Sequence, residues 1–413
     1  MTHHHTHIHR VFRTLSILLA AVLLLAGGCH VPARVFWSPD GNRAVYINYE
    51  QVAVIDADGA IQFQAVGEGT AAWSADSRTA YFALSTDAVP DAPTRPTVYQ
   101  TRWVDEPPAP QAEPGERLQA VVAYGPDGLS PLFVVDQPVM HLHLSPDQQW
   151  LAVLTSDAGS DGQMTLFTWH LPSKTLYLVQ RKCGFATAFT GDHRLLYVKP
   201  LDPNRPPHQP GDLVEITLDP TREQPERKTL VSIQAGPAIW VQPAGDQLLV
   251  GVIWFDSREQ PEADFNPNVH PVRIVRYGRN AAAPQVIADW TTGLFTISPD
   301  GRRVLFERIT PRDDDAQPKR ELMVMNTDGT NPRPLRDITV HGMTLPMWPN
   351  WRGNDQIAFT PAPADDDPVD PIDEQWRRTD VILYDLADDA QAPLRAAKTL
   401  STNWKLELKP RYR

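Results

Sequence analysis

The sequence predicts an all-β chain folded as a β-propeller of seven four-stranded antiparallel blades, with six or eight as the adjacent counts. Three observations carry this. A unit of polar turn followed by apolar strand recurs about seven times along the 413 residues. The repeat period is roughly 40–50 residues with several short strands in each, which is the period of a propeller blade. Proline supplies 40 of 413 residues, about twice its usual share. That load excludes long helices and suits loops and edges.

The clearest copy is Ser298-Pro299-Asp300-Gly301-Arg302-Arg303-Val304-Leu305-Phe306. Pro299 presets φ near about −65° at the second turn position, Asp300 can bond its own backbone, and Gly301 takes the φ > 0 position. Val304 to Phe306 reads as a strand. Leu322 to Met325 reads as the next and runs into an Asp328-Gly329 hairpin signal. Pro332 to Leu335 begins a third. Earlier copies are Ser38-Pro39-Asp40-Gly41, Ser74-Ala75-Asp76-Ser77 and Ser145-Pro146-Asp147-Gln148. Weaker ones are Thr190-Gly191-Asp192-His193, Gln242-Pro243-Ala244-Gly245 and Arg352-Gly353-Asn354-Asp355. The long interval between Ser74 and Ser145 holds a Pro-rich insertion, not a missing turn.

Trp37-Ser38-Pro39-Asp40-Gly41, Ile297-Ser298-Pro299-Asp300-Gly301 and Met325-Asn326-Thr327-Asp328-Gly329-Thr330-Asn331 resemble the repeat of the TolB-like β-propellers. The resemblance covers nearly the whole chain after residue 34. It implies a propeller of the kind used for protein docking in the periplasm and as the non-catalytic propeller of certain serine peptidases.

Taken in order, the chain opens on a targeting segment. Arg10 and Arg13 supply positive charge, and Leu15 to Ala26 is apolar, too short for an ordinary span and suited to a signal peptide. The run Leu25-Ala26-Gly27-Gly28-Cys29 resembles a bacterial lipoprotein signal. That implies removal of residues 1–28, acylation of Cys29, and a short lipidated tether at 29–34. The alternative is ordinary secretion with an unmodified Cys29. A tether this short spans only about 20 Å, so the body, residues 35–413, should sit against the membrane. His30 after the cysteine implies the outer membrane, facing the periplasm. The histidines between His3 and His9 fall in the segment to be removed and are expected to have no metal role.

Hydrophobic residues make up 42% and aromatics 8%, enough for a core. Without Arg10 and Arg13 the balance is 36 basic against 50 acidic residues. An acidic chain without a basic stripe excludes nucleic acid as a partner and favours a basic or neutral one. Cys29 and Cys183 are the two cysteines. With Cys29 acylated no internal disulfide is possible, and Cys183 reads as a small buried residue.

The first blade reads as Val35 to Trp37, Arg43 to Tyr49, Gln51 to Asp56 and Ile61 to Val66. The second has strands at Ala71 to Trp73 and Thr79 to Leu84. Its insertion carries an extra strand, Val98 to Val104, before Leu118 to Tyr124 and Leu132 to Val135 complete it. Later blades carry long polar loops between their second and third strands, at 156–162, 200–211, 255–269, 310–319 and 361–378. Standard strand order puts those loops on one face, the expected binding face. Val381 to Leu386 and Leu394 to Leu400 finish the last blade, and Asn403 to Leu408 reads as one more strand.

No Gly-x-Ser-x-Gly elbow, His-Glu-x-x-His pair, phosphate loop or Cys-x-x-Cys pair occurs, and each would carry a specific chemistry. No attached hydrolase domain is expected. His141 and His143, two apart on a strand, share a face and could begin a metal site; lining a wet channel is the plainer reading. Asp313 to Asp315 and Asp365 to Asp367 could gather calcium, although acidic runs in Pro-rich loops are ordinarily solvated, so no cofactor is expected. Trp37, Trp73, Tyr46, Tyr81, Phe306 and Phe359 recur at equivalent places and should fill the space between blades. Trp103, Trp254 and Trp376 break the repeat beside the long loops, with Arg102 next to Trp103; they are candidate contacts for a protein or glycan partner, with packing within the loops as the equal alternative. Trp348, Trp351 and Arg352 could stand at the channel mouth, with core packing the plainer reading. The expected task is non-catalytic binding of an envelope protein or polymer. The rivals are a lactonase- or lyase-like enzyme with a metal in the channel, and a structural subunit of an envelope complex.

Overall fold

The computed structural model describes residues 34–48, 51–101, 103–104, 118–156, 164–201, 211–233, 238–253, 272–278, 283–310, 319–340, 350–359, 382–387 and 390–393. These residues form 26 strands, and their one helix is a 3-10 turn at Thr86–Ala88. The first unit comprises β1 (Arg34–Trp37), β2 (Arg43–Asn48), β3 (Gln51–Asp56) and β4 (Ile61–Trp73). β4 runs on into a second unit with β5 (Ala80–Ser85), β6 (Gln119–Gly125) and β7 (Gly128–Val135). The third holds β8 (Val139–Leu144), β9 (Trp150–Ser156), β10 (Met164–His170) and β11 (Thr175–Cys183). The fourth holds β12 (Thr187–Gly191), β13 (Arg194–Pro200), β14 (Gly211–Thr217) and β15 (Arg227–Ile233). The fifth holds β16 (Ala238–Ala244), β17 (Gln247–Ile253), β18 (Val272–Gly278) and the first half of β19 (Gln285–Ile297). The second half of β19 starts the sixth, with β20 (Arg303–Thr310), β21 (Lys319–Asn326) and β22 (Arg333–Val340). The last holds β23 (Asn350–Arg352), β24 (Gln356–Phe359), β25 (Ile382–Asp385) and β26 (Ala390–Pro393). Each unit is an antiparallel meander of consecutive strands.

The core lies between units. Among the described residues it divides into separate apolar clusters, each joining two consecutive units. Val45, Val54, Phe82 and Val122 join the first to the second, and Val121, Phe133, Val153 and Leu178 the second to the third. The last cluster packs Ala358 and Leu383 against Val35, Trp37 and Tyr46 of the first unit, so the series of units closes on itself. Period-2 alternation makes this possible, because each strand offers one set of side chains to the preceding unit and the other to the next. On β9, Trp150, Ala152 and Leu154 face the fourth unit while Leu151 and Val153 face the second. Each fully buried side chain of this size stabilises by roughly 1.5–3 kcal/mol. The aromatics expected between blades, Trp37, Tyr46, Tyr81, Phe306 and Phe359, are all buried there.

The repeat turns have the expected geometry. Ser298 Oγ donates to Asp300 Oδ1 (2.6 Å) and accepts from Arg303 N (2.9 Å), Arg302 N donates to Asp300 Oδ1 (3.1 Å), and Gly301 has φ +72°. Ser38, Ser74 and Ser145 each repeat the 2.6 Å bond to the Asp two residues on. In two copies the left-handed position falls to non-glycines, Ser77 and Gln148, each at φ 61°.

Three expectations are corrected. Ile61 to Val66 and Ala71 to Trp73 are one strand, β4, and not two. Gly67 and Gly69 carry the chain between units: a Cβ on Gly67 would lie 2.4 Å from Ala83 O, and Gly69 has φ +97°. β19 does the same through Gly293, at φ +75°. Val98 to Val104 is not a strand of the second unit. Thr97 N donates to Val134 O (2.8 Å) on β7, and Gln100 forms an isolated parallel bridge to Tyr177 on β11. The fourth strand of the last unit is Ala390–Pro393. Residues 394–400 and Asn403 to Leu408 lie outside the described residues.

Candidate binding faces and the seams between units

Contacts between successive units place the repeat turns together at one end of the strands. Asp40 N donates to Ser77 Oγ and Asp300 N to Asn354 Oδ1, both at 3.0 Å. Asp147 Oδ2 lies 3.4 Å from His193 Nδ1. A tryptophan and an arginine reinforce the same end. Trp73 Nε1 donates to Phe36 O of the preceding unit (2.8 Å), and Trp351 Nε1 to Thr296 O (3.2 Å). The guanidinium of Arg43 lies 5.2 Å above the Trp73 ring, and that of Arg303 5.5 Å above Trp351. Arg43 also donates to Ser77 O, and Arg303 donates to Asn354 O and Asp355 Oδ1 at 2.6 and 2.8 Å. Stacking of this kind contributes about 0.5–1 kcal/mol where exposed and more where desolvated. The turn end is therefore occupied by its own hydrogen bonds.

The connections between second and third strands start and finish at the opposite end. β9 stops at Ser156 and β10 starts at Met164; β17 stops at Ile253 and β18 starts at Val272; β20 stops at Thr310 and β21 starts at Lys319. Antiparallel pairing gives every unit the same polarity, so these ends share one face.

Of the residues singled out in the sequence, Cys29, Arg102, Trp254, Trp348 and Trp376 lie outside the described residues. Trp103 is corrected: it is 1% exposed and belongs to the cluster between the third and fourth units. Its ring stacks on Tyr177 (centroids 4.4 Å, 12° between planes), Nε1 donates to Arg222 O (3.3 Å), and its carbonyl accepts from Arg227 Nη2 (2.8 Å). Tyr177 and Trp150 stand near the turn ends of β11 and β9, so Trp103 has left the face assigned to it. The insertion that begins in the second unit straps the edge of the third and reaches the fourth. Arg352 closes the ring. Its guanidinium stacks 4.5 Å above Trp37, and Nε donates to Gly41 O (3.2 Å). Trp351 is buried in the cluster between the sixth and last units.

His141 and His143 sit on the inner strand β8, on the face turned to the fourth unit. Their rings stack loosely (6.2 Å, 25°), and His141 meets Trp240 of β16 edge-on (5.3 Å). Among the described residues no group of three His, Cys, Asp or Glu side chains could hold a metal. His143 Nε2 is buried without a hydrogen-bond partner, and burial pushes its pKa down to about 4. Cross-strand register continues the row His143, Ala152, Thr168, Tyr177, and Thr168 Oγ1 is buried without a partner. His170, beside Trp150 (4.4 Å) and bonded through Nδ1 to Ser173 Oγ (2.7 Å), has its pKa lowered, chiefly by burial. Cys183 is buried, Sγ donating to Met164 O (3.4 Å), and burial pushes its thiol up to about 12, which makes it inert. Sequence reading missed His170 and Thr168. His193 stood in view, at the last position of the fourth repeat turn.

No protein-family model matches the chain, and no curated protein matches it in sequence. Solved structures do. The β-propeller domain of the Trilobed protease from Pyrococcus furiosus has 9% identity and a TM-score of 0.50, over 88% of this chain and 97% of that one. An acylaminoacyl peptidase bound to a chloromethyl ketone has 10% identity and a TM-score of 0.52, over 90% of this chain and 51% of that one. This chain thus spans about half the length of the peptidase. TolB from Acinetobacter baumannii has 13% identity and a TM-score of 0.43, over 90% of this chain and 81% of that one. With the meanders and the closed series of seams, the likeness to the Pyrococcus domain shows the fold: the chain is a β-propeller.

Proposed function

We propose that the chain is a lipid-anchored protein of the bacterial cell envelope, a single seven-bladed propeller that binds an envelope protein or polymer without catalysis. The blade number follows if each four-stranded meander is one blade. Anchoring rests on the leader and on acylation of Cys29. One observation carries the binding reading: the turn end is closed by its own hydrogen bonds and cation–π stacks, while the long polar connections all leave from the other end. A rigid disc with one decorated face limits the ordering cost of binding.

Two experiments test this. Cys29→Ser should shift the protein out of the membrane fraction or leave its precursor unprocessed; a mature, unacylated terminus at another residue refutes the anchor. A photo-crosslinking amino acid placed in cells at Ser156 or Thr310 should trap a partner, and one at Asn42 or Asp76 should not. Adducts confined to the turn end, or none from either end, refute the face assignment.

A further inference from the structure

All four histidines among the described residues lie along one seam. His141, His143 and His170 face it from the third unit, and His193 meets it from the repeat turn of the fourth. At two other seams a neutral side chain meets the turn backbone, Ser77 Oγ accepting from Asp40 N and Asn354 Oδ1 from Asp300 N, and the second of these also carries the Arg303–Asp355 ion pair (2.8 Å) and no histidine. At the equivalent place this seam pairs Asp147 with His193. It also holds buried polar atoms without hydrogen bonds: His143 Nε2, Thr168 Oγ1 and Asp147 Oδ2, the last having only the 3.4 Å contact with His193. Buried polar groups are ordinarily satisfied, and a cluster that is not calls for a physical reason.

We propose that the seam between the third and fourth units is an acid-responsive hinge, which hydrates and loosens when His143 and His170 take up protons while the other seams stay shut.

Among the described residues few groups face these rings. On the third unit they are Thr168, Trp150, Ser173, Tyr177 and Asp147. Across the seam stand Phe189, Leu195 and Tyr197, and Trp240 of the fifth unit lies edge-on to His141. Charges nearby are largely occupied. Arg227 donates to Trp103 O and Val179 O, Glu215 accepts from Thr190 Oγ1, and Arg194 is exposed. Among the described residues Asp147 is the carboxylate placed to offset a proton on His170, and it already accepts from Ser145 Oγ and Gln149 N. Among the described residues no carboxylate is paired with His143, so a protonated ring there must draw in water. The sign follows. Burial holds His143 below its ordinary value, so its contribution is complete above about pH 6.5 and is lost as pH falls towards about 4. The repeat-turn carboxylates Asp76 and Asp300 sit below the ordinary carboxylate range, held there by Ser74 and Ser298, so they stay charged through that window. The Trp103 strap, fixed to β11 and to Arg222 and Arg227, keeps the parted units tethered.

Hydrogen exchange on the intact protein, with labelling times corrected for intrinsic rates, tests this at pH 7.5 and 4.5. Peptides from β9, β10 and β13 should lose roughly tenfold to a hundredfold in protection, while peptides from β2, β17 and β20 change little. His143→Gln should remove most of that response. Uniform loss across all seams, unchanged protection of β9, β10 and β13 at pH 4.5, or a wild-type response in folded His143→Gln protein overturns the proposal. If His143→Gln does not fold, the comparison between seams in the wild-type protein decides.

Discussion

Trp103→Ala removes an indole that is 1% exposed at the junction of three units. Truncating a buried aromatic costs about 3–5 kcal/mol. Part of that is the stack on Tyr177, worth about 0.5–1.5 kcal/mol beyond burial. The Nε1 bond to Arg222 O adds about 1 kcal/mol or less at 3.3 Å. The backbone bond from Arg227 survives the substitution. Urea denaturation of the detergent-solubilised protein, followed by far-UV circular dichroism, reads this directly. With an m-value of about 3–4 kcal/mol per M for a chain of this size, the midpoint should fall by about 1 M. Trp103→Phe retains the ring over Tyr177 and should lose only about a third of that. Hydrogen exchange should show the loss first at 97–101 and 175–178. A Trp103→Ala protein within about 1 kcal/mol of wild type refutes the strap, because a side chain so enclosed has no other way to be replaced cheaply.

Other predictions concern single contacts. Arg352→Ala removes the stack on Trp37 and the bond to Gly41 O and should cost about 1–2 kcal/mol; limited proteolysis should then cut first at the first or last unit, and unchanged stability counts against a role in closure. Gly293→Ala should cost more than about 2 kcal/mol, since the new Cβ would lie 2.4 Å from Ile239 Cδ1 at φ +75°; a melt at the wild-type temperature refutes it. Gln148→Gly relieves a left-handed φ of 61° and should be neutral or stabilising by up to about 1 kcal/mol, whereas Gln148→Val should destabilise. Asp300 titrates below its ordinary range because Ser298 bonds the ionised form, so its share of stability persists at neutral pH and disappears as pH falls below about 3.8; Asp300→Asn should flatten the acid limb of the stability curve there.

Part of this protein could be read from the chain because the chemistry is local. Every bond that shapes a repeat turn joins residues two to five apart, as Ser298 does with Asp300 and Arg303, so the motif carries its own structure. Strand alternation and apolar content are local too, and with the recurrence of the turns they determined an all-β propeller, the places of Tyr46, Phe306 and Phe359, and the polarity that separates turn end from loop end. Tertiary structure decided what depends on distant partners. Trp103 sits in a Pro-rich insertion whose composition suits an exposed loop, but its partners Arg222 and Arg227 are 119 and 124 residues away, and burial against them outweighs that local preference. Arg352 reaches back 311 residues to Gly41. Of the four described histidines, His141 and His143 stood out in the sequence only as a pair and His193 only as part of a repeat turn, and nothing local joined them to His170. Pairing across β8, β9 and β10, and the docking of the fourth unit on that sheet, bring them into one seam, because register places residues from different strands opposite one another and a local pattern cannot specify which strands will meet.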